Sequence, residues 1–216
     1  EGSLFLTDAR TAEFVKLMEN TYRDINIALA NEFAQIAEES QVNVWDAIEL
    51  ANKHPRVNIL KPGPGVRGHC IAIDPWFLTN SSTRCRIISL AREINDGMPS
   101  HVLHIVKDLL PNVQQPVVTI FGLAYKGGVS DTRETPAIKF IKLIENEGYE
   151  VRAYDPYVHD FEFETQNLKE SLKGCDCIVV ITDHPDFKEI NPEEISSLMR
   201  TRNLVDTRNI LDHNTW

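Results

Sequence analysis

The first forty residues place hydrophobic side chains at the spacing of an α-helix. Apolar positions recur at steps of three and four residues over 11–39, which predicts one long amphipathic helix with Asp8 or Thr11 as its N-cap. The apolar stripe consists of Phe14, Met18, Tyr22, Ile25, Leu29, Phe33 and Ile36. Similar reasoning predicts three more helices in this half of the chain, over residues 43–53, 84–95 and 99–110.

Beyond residues 111–116 the pattern changes to short β-rich runs that alternate with helical segments. Four strands are predicted over 117–121, 150–155, 177–182 and 203–206, and the helices between them over 136–148, 165–173 and 192–200. Strand and helix in alternation indicate a parallel sheet with helices on both faces. The sequence therefore predicts the α/β class, with a helical domain over 1–110 followed by a small Rossmann-like α/β domain over 111–216.

Composition and charge narrow the possible partners. The chain has 22 Lys and Arg against 32 Asp and Glu, a net charge of −10, which argues against nucleic acid or an anionic membrane surface. No run approaches the roughly 18 apolar residues of a membrane helix. The start, Glu1–Ser3, has no basic segment leading into an apolar one, so no secretion signal is expected. Four cysteines form no disulfide framework, which favours a reducing, cytoplasmic compartment.

The stretch 54–69 is a loop rich in proline and glycine that leads directly to Cys70. Glycines let a backbone approach a ligand closely, and oriented N–H groups favour a thiolate. Asp74 follows after the spacing of one helical turn. The alternative for Cys70 is a small buried hydrophobe. A metal site with His54 and His69 fits no zinc spacing well, so no metal is expected.

Two sets of polar residues are candidates for binding. Lys16, Asn20 and Arg23 share one face of the first helix, either as a solvated face or as part of a site. In the α/β domain the first strand leads to a glycine-rich turn and a helix start, where anions bind in open sheets. The dinucleotide fingerprint is missing there, which favours phosphate binding without a dinucleotide. The cations near this edge are Lys126, Arg133 and Arg208.

Four segments together resemble the nucleotide-sugar dehydrogenases of the UDP-glucose/GDP-mannose dehydrogenase family. The matching segments are AEFVKLMENTYRDINIALANE at 12–32, GPGVRGHCIAIDP at 63–75, FGLAYKGGVSDTRETPA at 121–137 and AYDP at 153–156. The segment HPRVNILKPGPG before the cysteine is similar to the branch that oxidises UDP-N-acetyl-D-mannosamine (UDP-ManNAc). The resemblance covers the central and C-terminal domains only, and the glycine fingerprint of the NAD-binding domain is not among these residues.

The resemblance implies a covalent mechanism. Cys70 would attack the aldehyde formed by a first oxidation, and the resulting thiohemiacetal would become a thioester that water cleaves to the uronic acid. Lys16, with Asn20, would stabilise negative charge on oxygen, and Asp74 would assist proton transfer during hydrolysis. A chain without the NAD-binding domain would be inactive alone.

The resemblance also implies partners and binding residues. The UDP-sugar would be held by Arg23, His54, Arg56, Tyr125, Lys126 and Arg208. Arg133 would reach the NAD of the assembled enzyme. The long helix would form the core of a homodimer, and the product would serve synthesis of a surface polysaccharide. Alternatives are a dehydrogenase for UDP-N-acetyl-D-glucosamine or UDP-glucose, and a non-catalytic UDP-sugar-binding or regulatory module.

Three positions depart from the family's pattern. Arg67 stands where the family usually has glycine, Ala72 where proline is common, and Ile73 where UDP-glucose dehydrogenases have lysine. A side chain at position 67 takes up space in the substrate loop, and a positive φ there would strain an arginine. We therefore expect glycine at this position to tighten binding of the substrate.

Overall fold

A computed structural model of the chain describes residues 3–68 and 70–216. It divides into two compact units. The first contains residues Glu1–Lys61 and His69–Asn95, and the second contains Pro62–Gly68 and Asp96–Trp216. The division into domains 1–110 and 111–216 stays a prediction. Each compact unit is made of two separate stretches of the chain, so the units do not correspond to a single domain boundary.

The first unit is helical. Its elements are α1 (Ala9–Glu39), α2 (Val44–Ala51), α3 (Asp74–Ser81) and the first part of α4 (Arg86–Leu109). Asp8 begins α1 by accepting a hydrogen bond from the backbone N–H of Thr11, and Asn43 begins α2 in the same way. The predicted helix over 11–39 is confirmed, and α3 was not predicted.

The sequence predicted two helices, 84–95 and 99–110, with a break between them, and that break was wrong. Helix α4 continues through Gly97 and Pro99 as one element of 24 residues. Proline keeps a helical φ and forfeits one backbone hydrogen bond, a cost that packing can offset. That packing comes from Val102, Leu103 and Val106, which lie buried in the core of the second unit.

Helix α1 buries the face opposite to its apolar stripe. The buried side chains are small or polar: Asn20, Thr21, Asp24, Ala28, Ala30, Asn31, Ala34 and Ala37. Phe14, Met18 and Tyr22 of the stripe are 53–61% exposed. An ion pair of 2.6 Å between Arg92 and Asp24, both buried, joins α4 to the covered face within the first unit.

The second unit is built on a four-stranded parallel sheet. Its strands are β1 (Val117–Phe121), β2 (Glu150–Tyr154), β3 (Cys177–Val180) and β4 (Asn203–Asp206), in the order β2-β1-β3-β4. The register pairs Val118 with Val151 on one side and with Cys177 on the other. All five residues of β1 are buried, as a central strand covered on both faces requires. The predicted α/β class with a parallel sheet is confirmed.

Helices connect the strands. They are α5 (Pro136–Asn146), α6 (Leu168–Leu172) and α7 (Pro192–Ser196), with a short 3₁₀ helix over Pro185–Glu189. Thr135 caps α5 and proline occupies its first turn, which explains the sharp start. The helices are shorter than predicted. None of the helices in the described part of the chain is long and apolar enough to cross a membrane.

Candidate functional site

Three polar residues of the first unit meet between α1 and the start of α3. Asn20 is fully buried, its amide donates a hydrogen bond to the Asp74 carboxylate, and its carbonyl oxygen accepts one from the Arg23 guanidinium. The Arg23 contact determines the orientation of the Asn20 amide, so its NH₂ faces Asp74. The arrangement holds a half-buried carboxylate in one position, as a group that accepts a proton must be held.

Cys70 lies in the turn that leads into α3. Its carbonyl oxygen accepts a hydrogen bond of 2.8 Å from the Asp74 N–H, so the two residues are one helical turn apart. Cys70 is partly exposed. The adjacent His69, which belonged to the metal alternative, lies outside the described residues. The fold thus places the thiol-bearing residue and the Asn20–Asp74 contact in the same unit.

The other predicted residues of the first unit lie on exposed surface. Lys16 is one turn before Asn20 on α1, and its ammonium is 3.8 Å from a carboxylate oxygen of Glu19. His54 and Arg56 follow α2, where the Arg56 N–H donates to His54 Nδ1 at 3.3 Å. The Lys16–Glu19 ion pair is exposed to solvent, and such pairs contribute little to stability.

Asp155 organises the carboxyl edge of the sheet in the second unit. It follows β2 and is 5% exposed. Its Oδ2 accepts hydrogen bonds from the N–H groups of Leu123 and Ala124 at 2.6 and 3.1 Å, and its Oδ1 accepts from those of Tyr157 and Val158 at 2.8 and 3.1 Å. Burial raises the pKa of Asp155, but the hydrogen bonds that it accepts lower the pKa by a larger amount. The net pKa lies below the usual value, so the carboxylate stays ionised at neutral pH.

His184 connects this carboxylate to the glycine-rich turn. The fully buried ring donates from Nε2 to Asp155 Oδ2 at 3.0 Å, and Nδ1 accepts from the Gly128 N–H at 3.1 Å. This assignment of the ring proton follows from the backbone donor at Nδ1. The ring also stacks on Tyr157 with centroids 5.0 Å apart. His184 therefore positions the turn that carries Lys126.

Two glycines of this turn are required by close packing. A Cβ at Gly127 would be 2.1 Å from the carbonyl oxygen of Asp183, and a Cβ at Gly122 would be 2.3 Å from the Cβ of Thr182. Gly122 also has a φ of +94°. The turn needs these glycines to lie against the segment that follows β3.

The predicted side chains on and after this turn are more exposed. Tyr125 is half-buried, its N–H donates to the carbonyl of Asp131 at 2.8 Å, and its ring lies against Gly68. Lys126 is exposed. Arg133 is 65% exposed and forms an ion pair with Asp131.

Arg208 follows β4 and is largely buried. Its guanidinium has two contacts of 3.5 Å, from Nη2 to Asp183 Oδ2 and from Nη1 to the carbonyl of Pro62. Arg67 donates from Nη1 to Asp183 Oδ1 at 2.7 Å, and the Gly127 N–H donates to the same oxygen at 3.2 Å. Burial raises the pKa of Asp183, but the hydrogen bond and charge of Arg67 outweigh it and hold the pKa well below its usual range. Burial lowers the pKa of Arg208 to about 10, so it remains a cation at neutral pH.

Sequence reasoning missed Asp155, His184 and Asp183. Each follows a strand of the parallel sheet, and that position could have marked them, because carboxyl ends of parallel strands meet at one edge. The backbone strain that a positive φ would cause at Arg67 does not arise, because its φ is not positive.

The remaining thiols and possible metal ligands add no second site. Cys175 and Cys177 are buried, and burial raises the pKa of both. Among the residues that the structure describes, no group of three His, Cys, Asp or Glu side chains is placed to hold a metal ion.

Comparison with known protein families matches both halves of the chain. Residues 10–97 match the model of the UDP-glucose/GDP-mannose dehydrogenase family, central domain. Residues 119–213 match the UDP binding domain of the same family.

Individual relatives agree with this. The chain is 53% identical to a UDP-N-acetyl-D-mannosamine dehydrogenase of Methanococcus vannielii, over 100% of this chain and 52% of that protein. It is 42% identical to an NDP-N-acetyl-D-galactosaminuronic acid dehydrogenase of Ralstonia nicotianae, over 96% of this chain and 50% of that protein. The solved structure of a UDP-D-ManNAc dehydrogenase from Pyrococcus horikoshii superimposes with a TM-score of 0.91 at 48% identity, covering 99% of this chain and 51% of that one. The chain spans about half the length of these relatives.

Proposed function

Because the chain belongs to the UDP-glucose/GDP-mannose dehydrogenase family, we propose that it supplies the catalytic cysteine and UDP-sugar-binding parts of an NAD-dependent UDP-ManNAc 6-dehydrogenase. The product would be UDP-ManNAc uronic acid, made in the cytoplasm for a surface polysaccharide. Support for this substrate comes from sequence identity of 48–53% to proteins named UDP-N-acetyl-D-mannosamine dehydrogenase.

The observation that carries the proposal is the contact of Asn20 with Asp74, one helical turn from Cys70. A dehydrogenase that forms a thioester needs a thiol to hold the substrate carbon and a base to activate water. Asp74 is the base, and buried Asn20 determines where its carboxylate lies. The thiol and the base are thus close in sequence and on adjoining turns of one segment.

The residues of this chain have distinct roles in the reaction. NAD, when bound, would supply the oxidising power by accepting hydride from the substrate carbon in each of two oxidations. Cys70 adds to the aldehyde carbon to give a thiohemiacetal, which the second oxidation would convert to a thioester, and Cys70 leaves as a thiol when water attacks. Asp74 takes the proton of that water. Lys16, with the Asn20 amide, stabilises negative charge on the reacting oxygen.

Substrate binding is assigned to cations and hydrogen-bonding groups in both units. In the second unit Tyr125, Lys126 and Arg208 bind the UDP-sugar, and the basic side chains match the charge of a diphosphate. In the first unit this role belongs to Arg23, His54 and Arg56. Arg133, exposed beside the start of α5, is assigned to NAD. Its side chain is 65% exposed, so a phosphate-bearing cofactor could reach it from solvent.

A homodimer is part of the proposal. The apolar stripe of α1 lies exposed, with Phe14, Met18 and Ile36 each more than half exposed. An apolar surface of this length in one helix is typical of a protein–protein contact. A second copy of α1 would bury it around a two-fold axis.

The experiment that tests the function measures NADH formation from UDP-ManNAc by the assembled dehydrogenase. We expect Cys70→Ser to abolish turnover and to leave binding of UDP-ManNAc intact, because the serine hydroxyl is a poor nucleophile at neutral pH. Asp74→Asn should slow release of the acid. Cys85→Ser, at a thiol that is partly exposed like that of Cys70, is the matched control for loss of a thiol.

Three outcomes would contradict the proposal. They are turnover by the Cys70→Ser enzyme, a clear preference for UDP-glucose or UDP-N-acetyl-D-glucosamine, and steady NADH formation by the 216-residue chain alone. The last would show that these residues hold NAD without a further domain.

A further inference from the structure

Two guanidinium groups share one carboxylate at the carboxyl edge of the sheet in the second unit. Arg67 is 2.7 Å from one oxygen of Asp183, and Arg208 is 3.5 Å from the other. The nearby Asp206 carboxylate accepts from the backbone N–H groups of Arg208, Ile210 and Leu211. Arg67, Arg208 and Asp183 together carry one surplus positive charge, and the Asp206 carboxylate that partly offsets it is held by these backbone N–H groups.

Arg208 has fewer acceptors than a buried guanidinium normally has. Its side chain is 9% exposed. Among the described residues, both of its side-chain hydrogen bonds are 3.5 Å long and its buried Nε has no hydrogen-bond partner. Charge-assisted hydrogen bonds of arginine are usually about 2.7–2.9 Å long and often paired on one anion. A buried cation with weak contacts and a vacant donor is suited to a ligand that brings oxygen acceptors.

Arg67 determines how much of Asp183 remains for Arg208. The short contact to Asp183 belongs to Arg67, whose side chain is 19% exposed. A carboxylate that is shared with Arg67 neutralises less of the charge on Arg208. Without Arg67, the same carboxylate would turn fully to Arg208 and would repel an incoming anion.

We propose that Arg67 is a positioning residue for the diphosphate of a nucleotide sugar, because it holds Asp183 in an ion pair and so leaves the Arg208 guanidinium available to phosphate oxygens. This inference rests on the proposed function and adds to it a residue that the family pattern would not supply. It reverses the expectation that glycine at position 67 tightens binding. The loop residue contributes through its charge on Asp183.

The inference predicts a rescue that a merely structural role would not produce. Arg67→Met keeps most of the side-chain length and removes its charge, so Asp183 becomes a competing anion for Arg208. Adding Asp183→Asn removes that anion and keeps an oxygen acceptor for the Gly127 N–H. Binding lost in the single variant should therefore return in the double variant.

The test is calorimetric titration of the 216-residue chain with UDP, and with uridine as the probe without phosphate. We expect Arg67→Met to weaken UDP binding by about tenfold, the value of one charge-assisted contact. The double variant Arg67→Met, Asp183→Asn should return to within about threefold of the parent, and uridine binding should not change between variants. Matched controls are Lys142→Met and Glu162→Gln, which alter an exposed ion pair of 3.7 Å in the same unit.

Other results would overturn the inference. UDP binding by Arg67→Met equal to or tighter than that of the parent would do so, as would a double variant as weak as the single one. Circular dichroism checks that each variant is folded. If Arg67→Met does not fold, Arg67→Lys keeps the charge and should bind UDP within about threefold of the parent, and a larger loss would count against the inference. A parent chain that binds no UDP would overturn the proposed function as well. A parent chain that binds UDP, with variants that do not behave as expected, would overturn the role of Arg67 alone.

Discussion

Replacing Asp155 by asparagine should be among the most damaging polar substitutions in the second unit. The 5% exposed carboxylate accepts from four backbone N–H groups and from His184 Nε2. Asparagine keeps one oxygen and replaces the other by an NH₂ group, which donates. Either two or three of the five donors then face another donor.

The size of the loss follows from those contacts. A hydrogen bond to a charged group contributes roughly 1.5–3 kcal/mol, so losing two bonds should lower the free energy of unfolding by about 3 kcal/mol or more. A typical domain is stable by about 5–15 kcal/mol, so the loss is a large part of the total. The turn that carries Lys126 should loosen too, because the N–H groups of Leu123 and Ala124 lose their acceptor if the NH₂ takes that side.

Urea unfolding at pH 7, followed by far-ultraviolet circular dichroism, measures this loss. Asp160→Asn is the matched control, since Asp160 is exposed on the same connection after β2 and should change the free energy of unfolding by less than about 0.5 kcal/mol. A loss below about 1 kcal/mol for Asp155→Asn would refute the reasoning, because it would mean that the five contacts contribute almost nothing net.

The pH dependence gives an independent check. Burial raises the pKa of Asp155 and hydrogen bonds from His184, Leu123 and Tyr157 lower it by more, so the folded pKa lies below the usual 3.8. The stabilisation is therefore present above a pH of about 4 and is lost as the pH falls through the folded pKa. The difference in stability between parent and Asp155→Asn should shrink below that pH. A difference that stays constant down to acid unfolding would show that the ionised carboxylate is not the cause.

Three other substitutions or measurements test the remaining arguments. Arg92→Met removes the cation that pairs with buried Asp24, whose carboxylate keeps a hydrogen bond from Asn95, so we expect a loss of about 3 kcal/mol in urea unfolding, with exposed Arg84→Met near zero; equal effects would contradict the burial argument. Cys70 should alkylate fastest near neutral pH and be protected by UDP-ManNAc, whereas burial raises the pKa of Cys175; peptide mapping that found Cys175 modified first would reject this order. Met18→Glu should convert a dimer to a monomer by light scattering at micromolar concentration, and a monomeric parent chain would end the dimer proposal.

Much of the fold was readable from local patterns. Strands β1 and β4 have the bounds that their apolar runs predicted, and α1 differs by two residues at its start. Buried central strands are continuous apolar runs, and a capped amphipathic helix has a recognisable start, so both features are written in neighbouring residues. The candidate residues Asn20, Arg23 and Asp74 were also named from sequence, and the structure brings them into contact.

Two features of the helices depended on tertiary packing. The sequence indicated that α1 has an apolar and a polar face, but periodicity does not say which face the chain itself covers. The structure buries the face of small and polar side chains, where Asp24 meets Arg92, and exposes the apolar stripe. Likewise, Pro99 read as a helix boundary, and buried contacts of α4 beyond it kept the helix continuous.

The sequence by itself determined the family, the class of fold and the residues with suitable chemistry, because motifs, strands and helix starts are local. Only the tertiary structure decided the charges around the candidate anion site. Arg67 and Asp183 are 116 positions apart, and Asp155 and His184 are 29 apart. Such pairs form because the strands of a parallel sheet end at one edge, and a sequence pattern of neighbours contains no information on which side chains meet there. The interpretation of Arg67 changed for this reason. Its place in a glycine-rich loop predicted a steric obstruction to the substrate, whereas in the structure its side chain forms an ion pair with Asp183.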